Sequence, residues 1–598
     1  MAKSLFTTPL RGFLHGALLY GTVVSVLHVV HNRLDSPRDA AVLWLACLLM
    51  YGVWCAVVLA IGEGLATGWR ALRHERAGRL GDGVFVGLML FGLGFWELYF
   101  LHGLTYDQYP FGKIDSVGPM LAFLAGYAAL IAAGVWLVTR FVLAPATSRS
   151  GRRIAAAALL VGGLAHGAAL ISDRPAKASA APPAGAAARP AAAAQDLGLD
   201  VVLVGLDGAD WRVIDPLLQK GELPHFAALI GRGVHGPLKS FPDSNSAVLW
   251  SSIYTGTRPE VHGILDFYRI RIPGMAGRGV FPVHRTFFKE LADRLGFLGV
   301  DWRTAGRSSL HVPPIWEVAD HLGIELDVVD GYYPSFPAPI LSTPGSVFAS
   351  YGLDGFAQQL AQGASAARAA DLDLFLRPPG LYRDIRPLLQ RDDFDWQSAV
   401  LLQLLATRGQ PRFVNIYAHE PDTVQHLFWK WFQPQYFLDV KAADVRTKGD
   451  EIPKRYRSFD TFLGELEQHT GPNTVILIVS DHGHSPTILH QDFYTQHRHG
   501  PPGILLAAGG PLRRGVTVDS AGVLDVFPTV LYLLGAPIPD DAAGHLLAEM
   551  IDPAFLAAHP PRRIDSYAGR WAAEQRDVSS GLEHEEIEKL RALGYIGP

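Results

Sequence analysis

Two short segments pair a carboxylate with an imidazole at spacings that suit a metal ion. In Asp422-Thr-Val-Gln-His426 the side chains stand four residues apart, which on a helix puts both on one face. In Ser480-Asp481-His482-Gly483 they are adjacent, directly after the apolar run Val475-Ile-Leu-Ile-Val479. Two such groups at the exit of a buried strand are costly unless paired or bound to a cation, and the glycine permits a tight turn. Asp207, which closes the run Val201-Val-Leu-Val-Gly-Leu206, is a third carboxylate so placed. Gln496-His497-Arg498-His499 brings a further imidazole just before another apolar run. A hydroxyl completes the set. Phe241-Pro-Asp-Ser-Asn-Ser246-Ala-Val-Leu-Trp250 reads as a loop entering a helix, where free N–H groups and the helix dipole favour a bound phosphate. Each residue also has a plainer reading: a turn aspartate at Asp207, a helix cap at Asp422 followed by an unrelated histidine, and a helix cap at Ser246. Ser244, Ser251 and Ser252 are alternative hydroxyls.

The elements that would position these groups surround them. Near-continuous apolar strands begin at Asp200, Pro411, Thr474 and Gly503, and helical patterns follow the first of them over 211–220 and 224–231. Strands buried on both faces and separated by helices predict an α/β fold with a mostly parallel sheet sandwiched by helices. In such sheets ligands bind beyond the carboxyl ends of the strands. Asp207, Asp422, Asp481 and His482 all fall there.

The first 172 residues are of another kind. Five runs almost free of charge (13–31, 41–61, 84–104, 118–139 and 154–172) hold about 19–22 residues each, enough to cross a ~30 Å hydrocarbon core as helices. Composition agrees: 18% of the 598 residues are charged and mean hydropathy is +0.16, against about 25% charged in a soluble domain. Ten Lys and Arg fall on one side of these spans, and three, Arg33, Arg38 and Lys113, on the other. That asymmetry puts the amino terminus in the cytoplasm. Five crossings then leave the rest outside the inner (plasma) membrane, in the periplasm for a Gram-negative cell and otherwise extracellular. Glu97 sits inside the third run, where a charge costs roughly 2.5–3.5 kcal/mol. It reads either as a hydrogen-bonded glutamate near the outer interface or as a lipid-headgroup contact. An Ala/Pro-rich stretch, 173–197, forms a linker to a catalytic domain over 198–598. The net charge of −5 argues against a nucleic-acid partner. Cys47 and Cys55, the only cysteines, both lie in the second run, so neither a disulfide framework nor a thiolate zinc site is expected.

The ordered set of motifs resembles the alkaline phosphatase superfamily, in its branch of type I phosphodiesterases and nucleotide pyrophosphatases. The likeness covers roughly residues 200–550. It is carried by Leu206-Asp207-Gly208, by Ser246 with Ser251-Ser-Ile-Tyr-Thr-Gly256 and His262-Gly-Ile264, by Asp422-x3-His426, by Ser480-Asp481-His482-Gly483, and by Asp525-Val-Phe-Pro-Thr529. The resemblance implies two divalent metal ions, zinc in this family. Asp422, His426 and a late histidine would hold one; Asp207, Asp481 and His482 would hold the second, with Ser246 between them. Spacing to Gly503-Ile-Leu505 favours His499 as the late ligand, with His497 as the alternative. Nitrogen and oxygen donors without cysteine suit zinc on chemical grounds as well. Paired cations clamp the attacking and leaving oxygens of an in-line displacement. The implied reaction is hydrolysis of a phosphate ester, lipid or envelope glycan included, through a phosphoserine. Two departures stand out. Asp266 and its neighbours occupy the stretch where this branch places a phosphate-binding asparagine, and residues 330–395 form a long connection that would shape the substrate pocket. The sulfatase pattern is absent after Ser246. Phosphoethanolamine transferases and lipoteichoic acid synthases share the layout of five helices and an outward domain, so a phospholipid-headgroup transferase is the alternative. An inactive scaffold is a third reading, disfavoured because unpaired carboxylates would be expensive to retain.

Overall fold

The computed structural model describes residues 10–72, 193–281, 301–331, 345–348 and 393–568, with short stretches inside those ranges left out, 487–493 and 497–499 among them. The chain divides into two compact units, one of Met1–Ser179 with Tyr268–Arg303 and one of Ala180–Phe267 with Thr304–Pro598.

In the first unit a π-helical turn, Gly16–Gly21, leads into α1 (Thr22–His31), and α2 (Pro37–Leu72) follows. These correspond to the first two apolar runs. The 25-residue stretch Pro37–Ile61 of α2 contains an 18-residue window of mean hydropathy 2.4, and among the described residues it is the one helix long and apolar enough to cross a membrane. The remaining three runs and Glu97 lie outside the described residues, as does most of the linker. Five membrane helices are therefore not what the fold itself establishes; one candidate is. Ile270, Ile272, Met275 and Val280 pack into the same apolar cluster as Val24, Leu43, Cys47 and Met50. Ile270 and Val280 bridge one another in antiparallel fashion. Asn32 Nδ2 donates to the Phe281 carbonyl at 2.9 Å, and Asn32 Oδ1 accepts the Phe281 N–H at 2.7 Å. A strap from the middle of the sequence, residues 268–281, thus belongs, by packing, with the amino-terminal helices.

The second unit is built on one eight-stranded sheet. Its strands are β1 (Asp200–Leu206), β2 (Val234–Leu238), β3 (Leu326–Val329), β4 (Gly345–Phe348), β5 (Phe413–Ala418), β6 (Thr474–Val479), β7 (Gly503–Ala508) and β8 (Val516–Thr517). Their order is β8-β2-β7-β6-β1-β5-β3-β4. Only β7 runs against its neighbours, antiparallel to both β6 and β2; every other pairing is parallel. β5, β6 and β7 are buried at every residue, the reason they read as unbroken apolar runs. The helices α3 (Trp211–Gln219), α4 (Ser246–Thr255), α5 (Glu420–Phe432) and α6 (Glu451–Gln468) flank this sheet. Val202, Val204, Ile476 and Ile214 share one core with Phe226, Trp429 and Phe459.

Register brings the strand ends together. Gly205 of β1 pairs with Tyr417 of β5 and with Val479 of β6, so the residues following each strand emerge side by side. Because β7 runs backwards, it starts from that same edge. There the Ser480 N–H donates to the Ile504 carbonyl at 3.0 Å and the Gly483 N–H to Pro501 at 2.8 Å.

Candidate active site

Ser246 opens α4 without capping it. The cap is Asn245, whose Oδ1 accepts the Val248 N–H at 3.2 Å and whose Nδ2 donates to Asp266 at 2.9 Å. Asp266 also accepts the Phe267 N–H at 2.7 Å, which holds the cap in place. The capping hydroxyl is therefore not needed, and Ser246 Oγ turns instead to His482 Nε2 at 3.1 Å and Asp207 Oδ1 at 3.4 Å. Ser251 and Ser252 bond back to the carbonyls of Ala247 and Val248 at 2.7 and 2.9 Å, an arrangement that keeps their hydroxyls on the helix.

Asp422 and His426 do share a face of α5, with Asp422 Oδ1 3.3 Å from His426 Nε2; the cap position of that helix is His419. His482 Nε2 lies 3.5 Å from Asp207 Oδ1, 3.3 Å from Asp481 Oδ2 and 4.0 Å from Asp422 Oδ1. Two clusters result, Asp207–Asp422–His482 and Asp422–His426–His484, and within each the donor atoms all fall within 4.8 Å of one another. Every one of these side chains is buried. A buried cluster of carboxylate oxygens and imidazole nitrogens, without sulfur, fits a borderline divalent cation such as zinc. Of the residues singled out in the sequence, Asp207, Ser246, Asp422, His426, Asp481 and His482 come together here. His497 and His499 lie outside the described residues.

The family model for type I phosphodiesterase / nucleotide pyrophosphatase matches residues 201–528, over half of the chain. The chain belongs to that family. The six converging residues all lie in the matched stretch. A 2,3-bisphosphoglycerate-independent phosphoglycerate mutase of Laribacter hongkongensis (strain HLHK9) is 34% identical over 107 residues, 17% of this chain and 20% of that enzyme. The match thus spans about a fifth of this curated relative. Among solved structures, murine ectonucleotide pyrophosphatase / phosphodiesterase 5 is similar with a TM-score of 0.36 and 14% identity, covering 59% of this chain and 100% of that one. The human protein of the same name gives 0.35 and 14%, over 58% and 96%.

Burial sets the electrostatics of this phosphodiesterase-family site. It pushes the Asp481 carboxyl up to about 7, against the hydrogen bonds from Asp207 and from the Gly208 N–H. Burial, with the charges of Asp481 and Asp422, also raises Asp207 well above the usual carboxylate range. For Asp422 burial is outweighed: His426 and His484 beside it hold its carboxyl well below that range. Burial lowers His484 and takes His482 down to about 3, which favours the neutral ring in both. Burial disfavours a His426 cation too, but Asp422 outweighs it and raises that group.

Several supporting residues escaped the sequence reading. Asp207 Oδ2 accepts from Tyr417 Oη at 2.6 Å and Trp250 Nε1 at 3.1 Å, which leaves Oδ1 turned to Ser246. Gly205 makes room for this, since a Cβ there would meet the Trp250 ring at 2.7 Å. Asp210 caps α3 through the Arg212 N–H at 2.8 Å and also accepts the His484 N–H at 3.0 Å. Thr495 holds two rings: its carbonyl accepts from His426 Nδ1 at 2.9 Å, and its Oγ1 lies 2.9 Å from His484 Nδ1. One signal could have found His484. On an extended segment, residues two apart share a side, and His484 follows His482 by two.

Proposed function

We propose that this chain is a membrane-anchored, metal-dependent phosphodiesterase or phosphatase that works through a serine-linked phospho-enzyme. The observation that carries the reading is the Ser246 hydroxyl, 3.1 Å from His482 and 3.4 Å from Asp207, beside the Asp422–His426 pair at the carboxyl edge of the sheet. Asp207, Asp481 and His482 would hold one divalent ion, and Asp422, His426 and a late histidine, His499 or His497, the other. Bound ions supply Lewis acidity there, favouring the serine alkoxide and neutralising charge on the phosphate oxygens. Ser246 Oγ forms the new bond to phosphorus as the ester oxygen leaves. Water then displaces the seryl oxygen and frees the phosphate. Asp207, clamped by Tyr417 and Trp250, keeps one oxygen directed at the nucleophile throughout.

Anchoring is supported by the apolar length of Pro37–Ile61, and the Lys/Arg asymmetry supports a cytoplasmic amino terminus and a periplasmic or extracellular catalytic unit. A lipid or glycan phosphate ester of the envelope is the substrate class that this location favours. The family match is to phosphodiesterases, and no observation among the described residues favours the headgroup-transferase alternative. The full chain in detergent should hydrolyse bis-p-nitrophenyl phosphate, lose activity in chelator and regain it with zinc. A folded protein that turns over neither this diester nor p-nitrophenyl phosphate with any divalent metal would sink the proposal.

A further inference from the structure

We infer that the phosphate ester cleaved at Ser246 is carried by a lipid of the same membrane that anchors the chain, rather than by a dissolved molecule. The inference rests on the phosphodiesterase reading above and narrows its substrate class. The linker alone sets no such limit. Residues 173–197, fully extended, could span about 80 Å, and a domain held only there could stand clear of the bilayer.

A second tether is far shorter. Asp266 accepts from Asn245 Nδ2 at 2.9 Å, and Asn245 is the cap beside Ser246. The next residue, Phe267, accepts the Ala305 N–H on its carbonyl at 2.8 Å, so the excursion 268–304 leaves and returns at one fixed point. Tyr268–Arg271 and Asp301–Thr304 pair there as a two-stranded sheet. Ile270 and Ile272 lie in one apolar core with Val24 of α1 and Leu43 of α2, and Asn32 exchanges two hydrogen bonds with Phe281. Four residues of extended chain, from Asp266 to Ile270, span at most about 14 Å. Whatever the orientation of the two units, the Ser246 end of α4 therefore stays within about 25 Å of residues packed on the membrane helices.

Side and charge agree with this. Asn32 lies between α1 and α2, at the end that the Lys/Arg asymmetry assigns to the exterior, together with the catalytic unit. Residues 268–281 hold three arginines, Arg269, Arg271 and Arg278, and no carboxylate, in a chain of net charge −5. Arginine at headgroup depth pairs readily with lipid phosphate. A site held so near a bilayer meets membrane-borne esters at a raised effective concentration, whereas a dissolved ester gains nothing from the tether. On such a diester the Ser246 oxygen bonds to phosphorus and one ester oxygen leaves as an alcohol, taking the proton that the serine gives up. Water then splits the seryl phosphate.

The test uses the full chain, loaded with zinc, in vesicles of phosphatidylethanolamine and phosphatidylglycerol. Two diesters share one leaving group: phosphatidyl-4-nitrophenol in the same bilayer, and methyl 4-nitrophenyl phosphate in the surrounding water. Nitrophenolate absorbance reads both. At equal total concentration the lipid ester should be cleaved faster by on the order of 10²-fold. Asn32→Ala combined with Ile270→Ser and Ile272→Ser frees the strap. The ratio should then fall at least ~10-fold, while methyl ester cleavage and metal content stay at the wild-type level. Equal rates on the two esters in wild type, or an unchanged ratio in the variant, would overturn the inference and leave the hydrolase reading standing. A folded protein that cleaves neither ester with any divalent metal would end both. If the triple variant does not fold, Asn32→Ala alone removes both bonds to Phe281 and must lower the same ratio.

Discussion

Replacing Ser246 with alanine removes one oxygen from the site while Asn245 continues to cap the helix. Ser246→Ala should therefore fold and bind metal like wild type, yet lose turnover by on the order of 10⁴-fold or more, as expected when a nucleophile is deleted. Metal analysis beside a rate assay checks both halves. Asp481 makes a prediction about pH. Its carboxyl, raised to about 7 by burial, holds a proton in the metal-free protein at pH 6 and has lost it by about pH 8.5. Zinc must displace that proton at the lower pH, so affinity should fall as pH drops through 7 and proton release should be larger at pH 6. Calorimetry in buffers of different ionisation enthalpy measures the release; equal values at the two pH values would contradict the assignment. At this scale the sequence was informative wherever the pairing is local. Asp422 with His426 and Asp481 with His482 are set by spacing alone. His484 was not legible, because Asp422, Asp210 and Thr495, the groups that give it a role, arrive from distant segments.

Among the elements, the turn after β1 is the most exacting. Gly208 lies in the left-handed region, at φ +67°, and its backbone N–H donates to Asp481. Gly208→Ala should destabilise the metal-free fold by roughly 1–2 kcal/mol through backbone conformation alone, and the new methyl should push His484 aside and weaken zinc binding. Denaturant unfolding in chelator and a zinc titration separate the two effects. Asn245→Ala should cost about 1–2 kcal/mol, for it loses the cap and leaves Asp266 short of a donor; a thermal melt reads it. The four central strands were legible because burial on both faces forces unbroken apolar runs. Val234-His-Gly-Pro-Leu238 carries Gly and Pro, and Leu326-Asp-Val-Val329 buries an aspartate, so neither announced itself as a sheet strand. The reversed direction of β7 is likewise invisible locally, since the connection sets it, and residues just before β7 reach the site for that reason.

At the scale of the whole molecule, composition shifts sharply near residue 172, and that shift alone predicts a membrane domain before it and a catalytic domain after it. Composition has nothing to say about which apolar surfaces meet. Tyr268–Arg271 forms a strand buried at its first three residues, and the α1 and α2 residues that pack with Ile270 and Ile272 lie over 200 residues earlier. A practical consequence concerns anyone who tries to make a soluble enzyme. Cutting within the Ala/Pro-rich stretch should yield two fragments that still co-sediment with the bilayer, because Asn32 and its apolar neighbours keep their grip on the strap; a protease site engineered there, followed by ultracentrifugation, tests this. Expression from residue 198 onward would strip Ile270, Ile272, Met275 and Val280 of their cover, at about 1.5–3 kcal/mol for each large side chain. Such a fragment should stick to itself or to detergent until those four positions are made polar.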